Sequence, residues 1–446
     1  MNFLDNFVLP QSAEHLELLK YLIGIALMIL VPYLSLLIGL TSISAGFYKK
    51  GISNSDDESI LISKLVIDSI SFNKSMIFGF GLIPLFSISF AVIELMNLSG
   101  VLINIYFVVS LVSFMIGIVF VYSFKHSLSL HSITTFYIKN IKDNNSNTFN
   151  TAEEYDNKTT LINKKYPYYG ISFLVISVYF LITGFTVVFN TGVWETGNLF
   201  WSSLFSFSPL FYFINFLTLA YLICIIFTLY KIKLSNNNLS EKFIQKNNTV
   251  LLKWGIIIAV IFMITIITNL IALPVSSLSL SYFSSLVFLF LFTIIIVNQL
   301  YLMLKNNDAK HTNSVLYLII IVVVFFVVGN ISALSTSTQK QIDKLSTNYI
   351  TYQDEFKKSL GIETKVISGA DIYNGKCIAC HAFDKIVVGP PYNVVLKKYE
   401  GNMDKLVKYI LNPVKVDPNF PSMPNQGVKP NEAKAVAEYI ISTYKK

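Results

Sequence analysis

Eight stretches of this chain stay apolar for about twenty residues or more, the length a helix needs to cross the hydrocarbon core of a bilayer. They cover roughly 18–46, 75–97, 100–124, 168–190, 206–230, 252–275, 279–304 and 314–334. A bilayer core offers no water to backbone N–H and C=O groups, so such stretches must be helical. The expected fold class is all-α, a polytopic helix bundle over 1–334. Composition fits this reading: 53% of residues are hydrophobic, 13% are charged and the mean hydropathy is +0.58. The first stretch is long enough to tilt, or to kink at Pro32. Segment 58–73 is shorter and carries Lys64 and Asp68. It reads as an amphipathic helix lying at the interface.

Lysine sets the orientation. All thirty-four basic residues are Lys, with no Arg in the chain. The loops after the first, third, fifth and seventh stretches hold Lys49, Lys50, Lys64 and Lys74, then Lys125 to Lys165, then Lys231 to Lys253, then Lys305 and Lys310. Loops 98–99, 191–205 and 276–278 hold none, nor does the segment before Lys20. Positively charged loops stay inside, so the N-terminus is expected outside. An even number of crossings then puts the C-terminus outside as well. Residues 1–17 lack a basic n-region and an apolar h-region, so no cleavable signal peptide is expected. The missing Arg removes bidentate clamps for carboxylates and leaves Lys as a point charge.

Glu94 is the acidic residue to weigh within the stretches. An intramembrane carboxylate is a functional candidate, and near the outer end it could accept a proton or meet a quinol. The rival reading is a side chain snorkelling to the interface near Asn97. His15, His126, His131 and His311 all lie outside the deep apolar runs, which disfavours a b-type haem held by paired histidines. Asn215, Asn298, Gln299 and Asn330 read as polar ties between helices. Cys224 reads as a small buried hydrophobe.

Residues 335–365 form a linker. Ile342, Leu345, Tyr349, Tyr352 and Phe356 step by three and four, the pattern of an amphipathic helix, with Gly361 as its C-cap. Residues 366–446 have a different composition and form a separate domain.

That last domain carries Cys377-Ile378-Ala379-Cys380-His381. The C-x-x-C-H run is the attachment signature of a c-type haem. Two thiols at this spacing can add to the two vinyl groups, and the next residue is placed to bind the iron. A zinc site would need a second pair of ligands, and the last hundred residues hold no other Cys or His. The flanks resemble the small bacterial class I c-type cytochromes. Gly369-Ala370-Asp371-Ile372-Tyr373 resembles their entering helix, Gly389-Pro390 their proximal loop, Pro421-Ser422-Met423-Pro424 their distal loop, and 431–445 their closing helix. The resemblance implies one covalent haem c on Cys377 and Cys380, with His381 and Met423 as axial ligands and the Pro390 carbonyl holding the imidazole. Met403 is the competing sixth ligand. It starts a helical pattern, whereas prolines stiffen the loop around Met423.

Haem attachment of this kind occurs outside a bacterial inner membrane, which agrees with the side that lysine assigns to the C-terminus. The expectation is a membrane-anchored monohaem cytochrome. It would be the electron-transfer subunit of a respiratory or photosynthetic complex, with other membrane subunits, a redox partner that is acidic in charge, and no nucleic acid. Two other readings are a quinol-oxidising enzyme feeding its own haem and a redox-gated transporter.

Overall fold

The computed structural model describes residues 10–69, 75–140, 147–196, 200–235, 239–308, 310–360, 368–399 and 402–444. The expected cap at Gly361, residues 70–73 of the interfacial helix and the expected domain start at 366 lie outside them. The chain forms two compact units, Met1–Thr351 and Tyr352–Lys446.

Among the described residues of the first unit, every regular element is a helix. It contains α1 (Ala13–Asn54), α2 (Asp57–Asp68), a π-helical turn (Ile77–Leu82) leading into α3 (Ile83–Leu95), α4 (Asn104–Asn140) and α5 (Asn147–Phe189). Two short helices follow, α6 (Thr191–Thr196) and α7 (Phe200–Leu204). Then come α8 (Phe207–Leu234), α9 (Glu241–Ala272), α10 (Leu280–Asn306) and α11 (Thr312–Ser359). Among the described residues, eight helical segments are long and apolar enough to cross a membrane. Most extend beyond the apolar runs, because their polar ends also favour helix.

Helix starts follow from side-chain caps. Ser12, Asp56, Ser240 and Ser279 each accept a hydrogen bond from the backbone N–H three residues on. Such a cap satisfies a donor that the first turn leaves free. Left-handed Ser55 and Asn307 end α1 and α10, with φ of 51° and 52°.

α1 is the central helix. It runs through Pro32 and packs on α2, α3, α5 and α8. Without a hydrophobic drive between helices in lipid, close packing must hold them. Small residues permit it. A Cβ on Gly39 would lie 2.4 Å from Cys224 Sγ, so the buried thiol of α8 fills the space glycine leaves. Between α4 and α5, Gly117 faces Leu174 and Gly170 faces Val121 in the same way.

α2 does more than lie at an interface. Its Ile62, Val66 and Ile67 are buried, and Ser44 of α1 and Ser63 exchange hydroxyl-to-carbonyl hydrogen bonds of 2.7 and 2.8 Å. Asn215 donates to Thr265 Oγ1 at 2.9 Å and ties α8 to α9. Asn330 instead turns back to the Phe326 carbonyl of its own helix.

α11 is one helix through residues 312–359, so the first part of the linker continues the last span. Its Ser and Thr run does not break it. Thr336 and Thr338 bond back to carbonyls four residues earlier, which keeps their hydroxyls satisfied within the helix. Lys344 donates to the Leu98 carbonyl at 2.8 Å, and Gln341 to that of Asn97, so this helix clasps the end of α3.

The second unit contains α12 (Gly369–Ile372), which runs into a π-helical turn (Tyr373–Cys377), then α13 (Tyr392–Val395), α14 (Met403–Leu411) and α15 (Pro430–Tyr444). α12 crosses α15 at Gly369, where a Cβ would lie 2.2 Å from the Ala435 carbonyl oxygen. Tyr373, Leu396, Leu406, Ile410, Val436 and Ile440 form its core.

Candidate functional site

The site is built on the turn that ends α12. Ser368 caps that helix by accepting from the Asp371 N–H at 3.2 Å. The π-helical turn then carries the chain to Cys377. The Cys380 and His381 N–H groups both donate to the Cys377 carbonyl, at 3.1 and 3.0 Å. This tight turn brings Cys377, Cys380 and His381 to the wall of one cavity. Both thiols are free and partly buried. Burial pushes the Cys377 thiol pKa up, and neighbouring Lys376 pulls against that shift.

The loop after His381 folds back to hold it. Gly389 N–H donates to the Cys380 carbonyl at 2.8 Å, and Tyr392 N–H to that of Ala382 at 3.0 Å. Gly389 must be glycine here, since a Cβ would stand 2.4 Å from His381 Cε1. His381 Nδ1 lies 3.1 Å from the Pro390 carbonyl oxygen. A carbonyl only accepts, so Nδ1 carries the proton and donates. Nε2 is left as the lone-pair nitrogen. Tyr392 stacks on the imidazole, with centroids 5.2 Å apart and planes 14° apart. Tyr373 donates to the His381 carbonyl at 3.2 Å. Burial raises the pKa of both tyrosines, so their hydroxyls stay protonated in ordinary buffers.

Met423 lines the same cavity, between Pro421 and Pro424. Met403 does not. It opens α14 and packs on the unit's apolar core. The Met423 loop is closed by Asn425, whose side chain accepts from Gly427 N–H at 2.9 Å, with Gly427 at φ 60°. Lys376 reaches across to the Gln426 and Gly427 carbonyls, both at 3.4 Å, and lies 4.0 Å from Glu432.

This stretch of chain has a measurable relative. Cytochrome c-551 of Pseudomonas denitrificans is 37% identical over 81 residues, which cover 17% of this chain and 96% of the relative. Through its C-terminal region, the chain belongs to the cytochrome c-551 family. The region is thus a class I c-type cytochrome, and haem c is the cofactor it implies. No protein-family model matches the chain. The relative leaves the first unit unassigned.

The residues present fit that group. The cavity offers two thiols, an imidazole with a free Nε2, a thioether and an apolar wall that includes Leu406 and Ile410. Sequence reasoning missed Tyr392 and Tyr373 as supports of the imidazole. Tyr373 was marked only as the aromatic of the entering helix, four residues from Gly369, and the fold of the 382–392 loop is what brings Tyr392 onto the ring.

Glu94 belongs to the first unit. Its Oε1 accepts from Gln11 Nε2 at 2.6 Å and lies 3.0 Å from His15 Nε2. It therefore ties the end of α3 to residues at the start of α1. His131 is also engaged, with Nδ1 2.8 Å from Asp156. His126 and His311 are exposed. Among the described residues, no three His, Cys, Asp or Glu side chains gather into a metal-type cluster.

Proposed function

We propose that this chain is a membrane-anchored monohaem cytochrome that passes single electrons on the outer side of a bacterial inner membrane, as a subunit of an electron-transfer complex. Cys377 and Cys380 would attach the haem, and His381 and Met423 would hold its iron. When bound, such a haem supplies a one-electron iron couple. The observation that carries the reading is the convergence of His381, held by Pro390, with Met423 on one cavity beside both thiols.

The chain's own residues do the positioning. Pro390 fixes the imidazole tautomer, and Tyr392 fixes the ring plane. The proline-bounded loop presents the methionine sulfur. With His381 and Met423 both holding the iron, the group would carry single electrons and would offer no open position for oxygen activation. Thioether and imidazole ligands together would raise the potential relative to two imidazoles.

The test is direct. Cys377→Ala with Cys380→Ala should abolish haem that survives denaturing electrophoresis, while the first unit still inserts. Met423→Ala should lower the reduction potential and admit carbon monoxide, and Met403→Ala should do neither. Retained covalent haem in the double variant, or the reverse behaviour of the two methionines, sinks the assignment.

A further inference from the structure

Asn298 faces away from the bundle. It lies on α10, whose inner face buries Tyr282, Leu289, Ile296 and Met303. Asn298 itself is exposed, and among the described residues its amide meets no hydrogen-bond partner. Asn330 of α11 shows what such a side chain can do within its own helix, since it bonds back to the Phe326 carbonyl. Asn298 does not.

Its depth makes that costly. α10 has 27 residues, about 40 Å at about 1.5 Å each, against a hydrocarbon core about 30 Å thick. Centred on the core, the helix puts Ser281 and Lys305 just outside it and Asn298 about 7 Å inside its edge. A lysine at that depth could snorkel to the interface, but the side chain of Asn298 is too short. A bare amide facing lipid there has neither water nor protein to bond.

The neighbours of Asn298 form a pattern. Ser284, Val287, Leu291, Ile294, Asn298 and Tyr301 are all exposed, and they step alternately by three and four. Any lipid-facing stripe is apolar, so Val287, Leu291 and Ile294 alone call for no partner. The heptad step with one amide in it does. Ser284, Leu291 and Asn298 take the a positions and Val287, Ile294 and Tyr301 the d positions of a left-handed two-helix seam. A single Asn at an a position sets the register of such a seam by pairing with its own counterpart.

We propose that two copies of this chain pair through α10 in the membrane, with Asn298 of each bonded to its equivalent in the other. An amide carries both donors and an acceptor, so two of them satisfy each other. Copies inserted with the same topology are related by a two-fold axis along the membrane normal. That axis makes the two α10 helices parallel and brings equal positions face to face. A foreign helix would need its own polar group at the matching depth, whereas a second copy supplies one by symmetry. The proposal concerns the first unit alone and does not rest on the proposed function.

The test uses the full chain, first in native membranes. Leu291→Cys, one heptad before Asn298, should give a disulfide-linked product of twice the chain's mass on mild oxidation with copper phenanthroline. Ile264→Cys, exposed on α9, is the positional control and should not. The parent is the background, since it already holds Cys224, Cys377 and Cys380. Association of the purified chain is then followed by fluorescence energy transfer across a dilution series in lipid vesicles. Asn298→Leu should weaken it about tenfold, the worth of one interhelical hydrogen bond, with insertion and haem spectrum unchanged. Asn298→Gln should keep most of it. If Asn298→Leu fails to insert, Ile294→Trp, which blocks the seam by bulk, should give the same loss. Equal linkage from Leu291→Cys and Ile264→Cys, a Leu291→Cys product that contains a different protein, a chain monomeric at every dilution, or association untouched by Asn298→Leu overturns the proposal. Haem staining is scored on the same gels, so failure of haem attachment would sink the proposed function without touching this result.

Discussion

Lys376 and Gly427 meet across the mouth of the cytochrome cavity: the lysine ammonium lies 3.4 Å from the glycine carbonyl oxygen. The lysine precedes Cys377, and the glycine follows Met423 by four residues. One side chain therefore spans from the cysteine turn to the methionine loop, with Glu432 at 4.0 Å adding charge.

Lys376→Met should loosen that loop. The group is partly exposed, so its contribution is small, about 0.5–1 kcal/mol. The denaturation midpoint of the haem-loaded protein should fall slightly, and the absorption signature of methionine ligation should fade at a lower denaturant concentration than in the parent. An unchanged loop transition would mean that the contact contributes nothing.

Gly389→Ala should be far more damaging. The added Cβ would stand 2.4 Å from His381 Cε1, and the imidazole cannot yield without leaving Pro390 and Tyr392. Haem incorporation should fall severalfold, with a mixed ligation spectrum in what remains. Gly375→Ala is the control, because no atom lies within 4 Å of its Cβ position. Equal behaviour of the two variants would refute the steric argument.

Glu94 joins the start of α1 to the end of α3 through Gln11 and His15. Glu94→Ala strands buried Gln11, while exposed His15 can turn to water, and should cost the first unit about 1 kcal/mol. Glu94→Gln should cost less, since an amide can still bond both. The check is the thermal midpoint of the detergent-purified protein, read alongside the haem spectrum, which should not move. A change in haem reduction rate with an unchanged midpoint would favour the proton-accepting role instead.

The bundle was legible because apolar length is a local property. Runs of about twenty apolar residues declare themselves without any knowledge of their neighbours. The helix past 334 was legible in its apolar stripe, but its unbroken join to the last span was not, because the Ser and Thr hydroxyls bond within the helix while the same residues equally suit a loop. At the haem site, motif residues with fixed chemistry stood out. Tyr392 and the reach of Lys376 did not, because each depends on where a loop returns. Glu94 was visible as an anomaly, but its partners lie 83 and 79 residues away.

Topology gives a prediction for the first unit. Reporter fusions after Ser99, Asn198 and Ser277 should be active outside, and those after Asn145, Asn237 and Asn306 inside. The tie from Ser277 to Phe189 already places the α5 end and the α9–α10 connection at one end of the bundle. A reversed signal at Ser277 alone would contradict that contact as well as the lysine rule.

Lys385 is the better probe of partner steering. From Val366 onward, Lys outnumber acidic residues by four. Lys376 is occupied with Gln426 and Gly427, so a substitution there would mix loop stability with charge. Lys385 is exposed and stands beside exposed Ile386 and Val387, in the loop that returns to His381. An acidic partner approaching this loop would feel the charge over a screening length of about 8 Å at physiological salt. Lys385→Glu should slow electron transfer between the haem and its partner severalfold at low ionic strength, through the association rate, with little change in reduction potential. Raising the salt concentration should bring variant and parent together, because screening removes the difference between them. Stopped-flow mixing of the reduced cytochrome with its oxidised partner across a salt series measures this. Equal rates at low salt would mean that the partner meets another face, or that transfer takes place only inside a fixed complex.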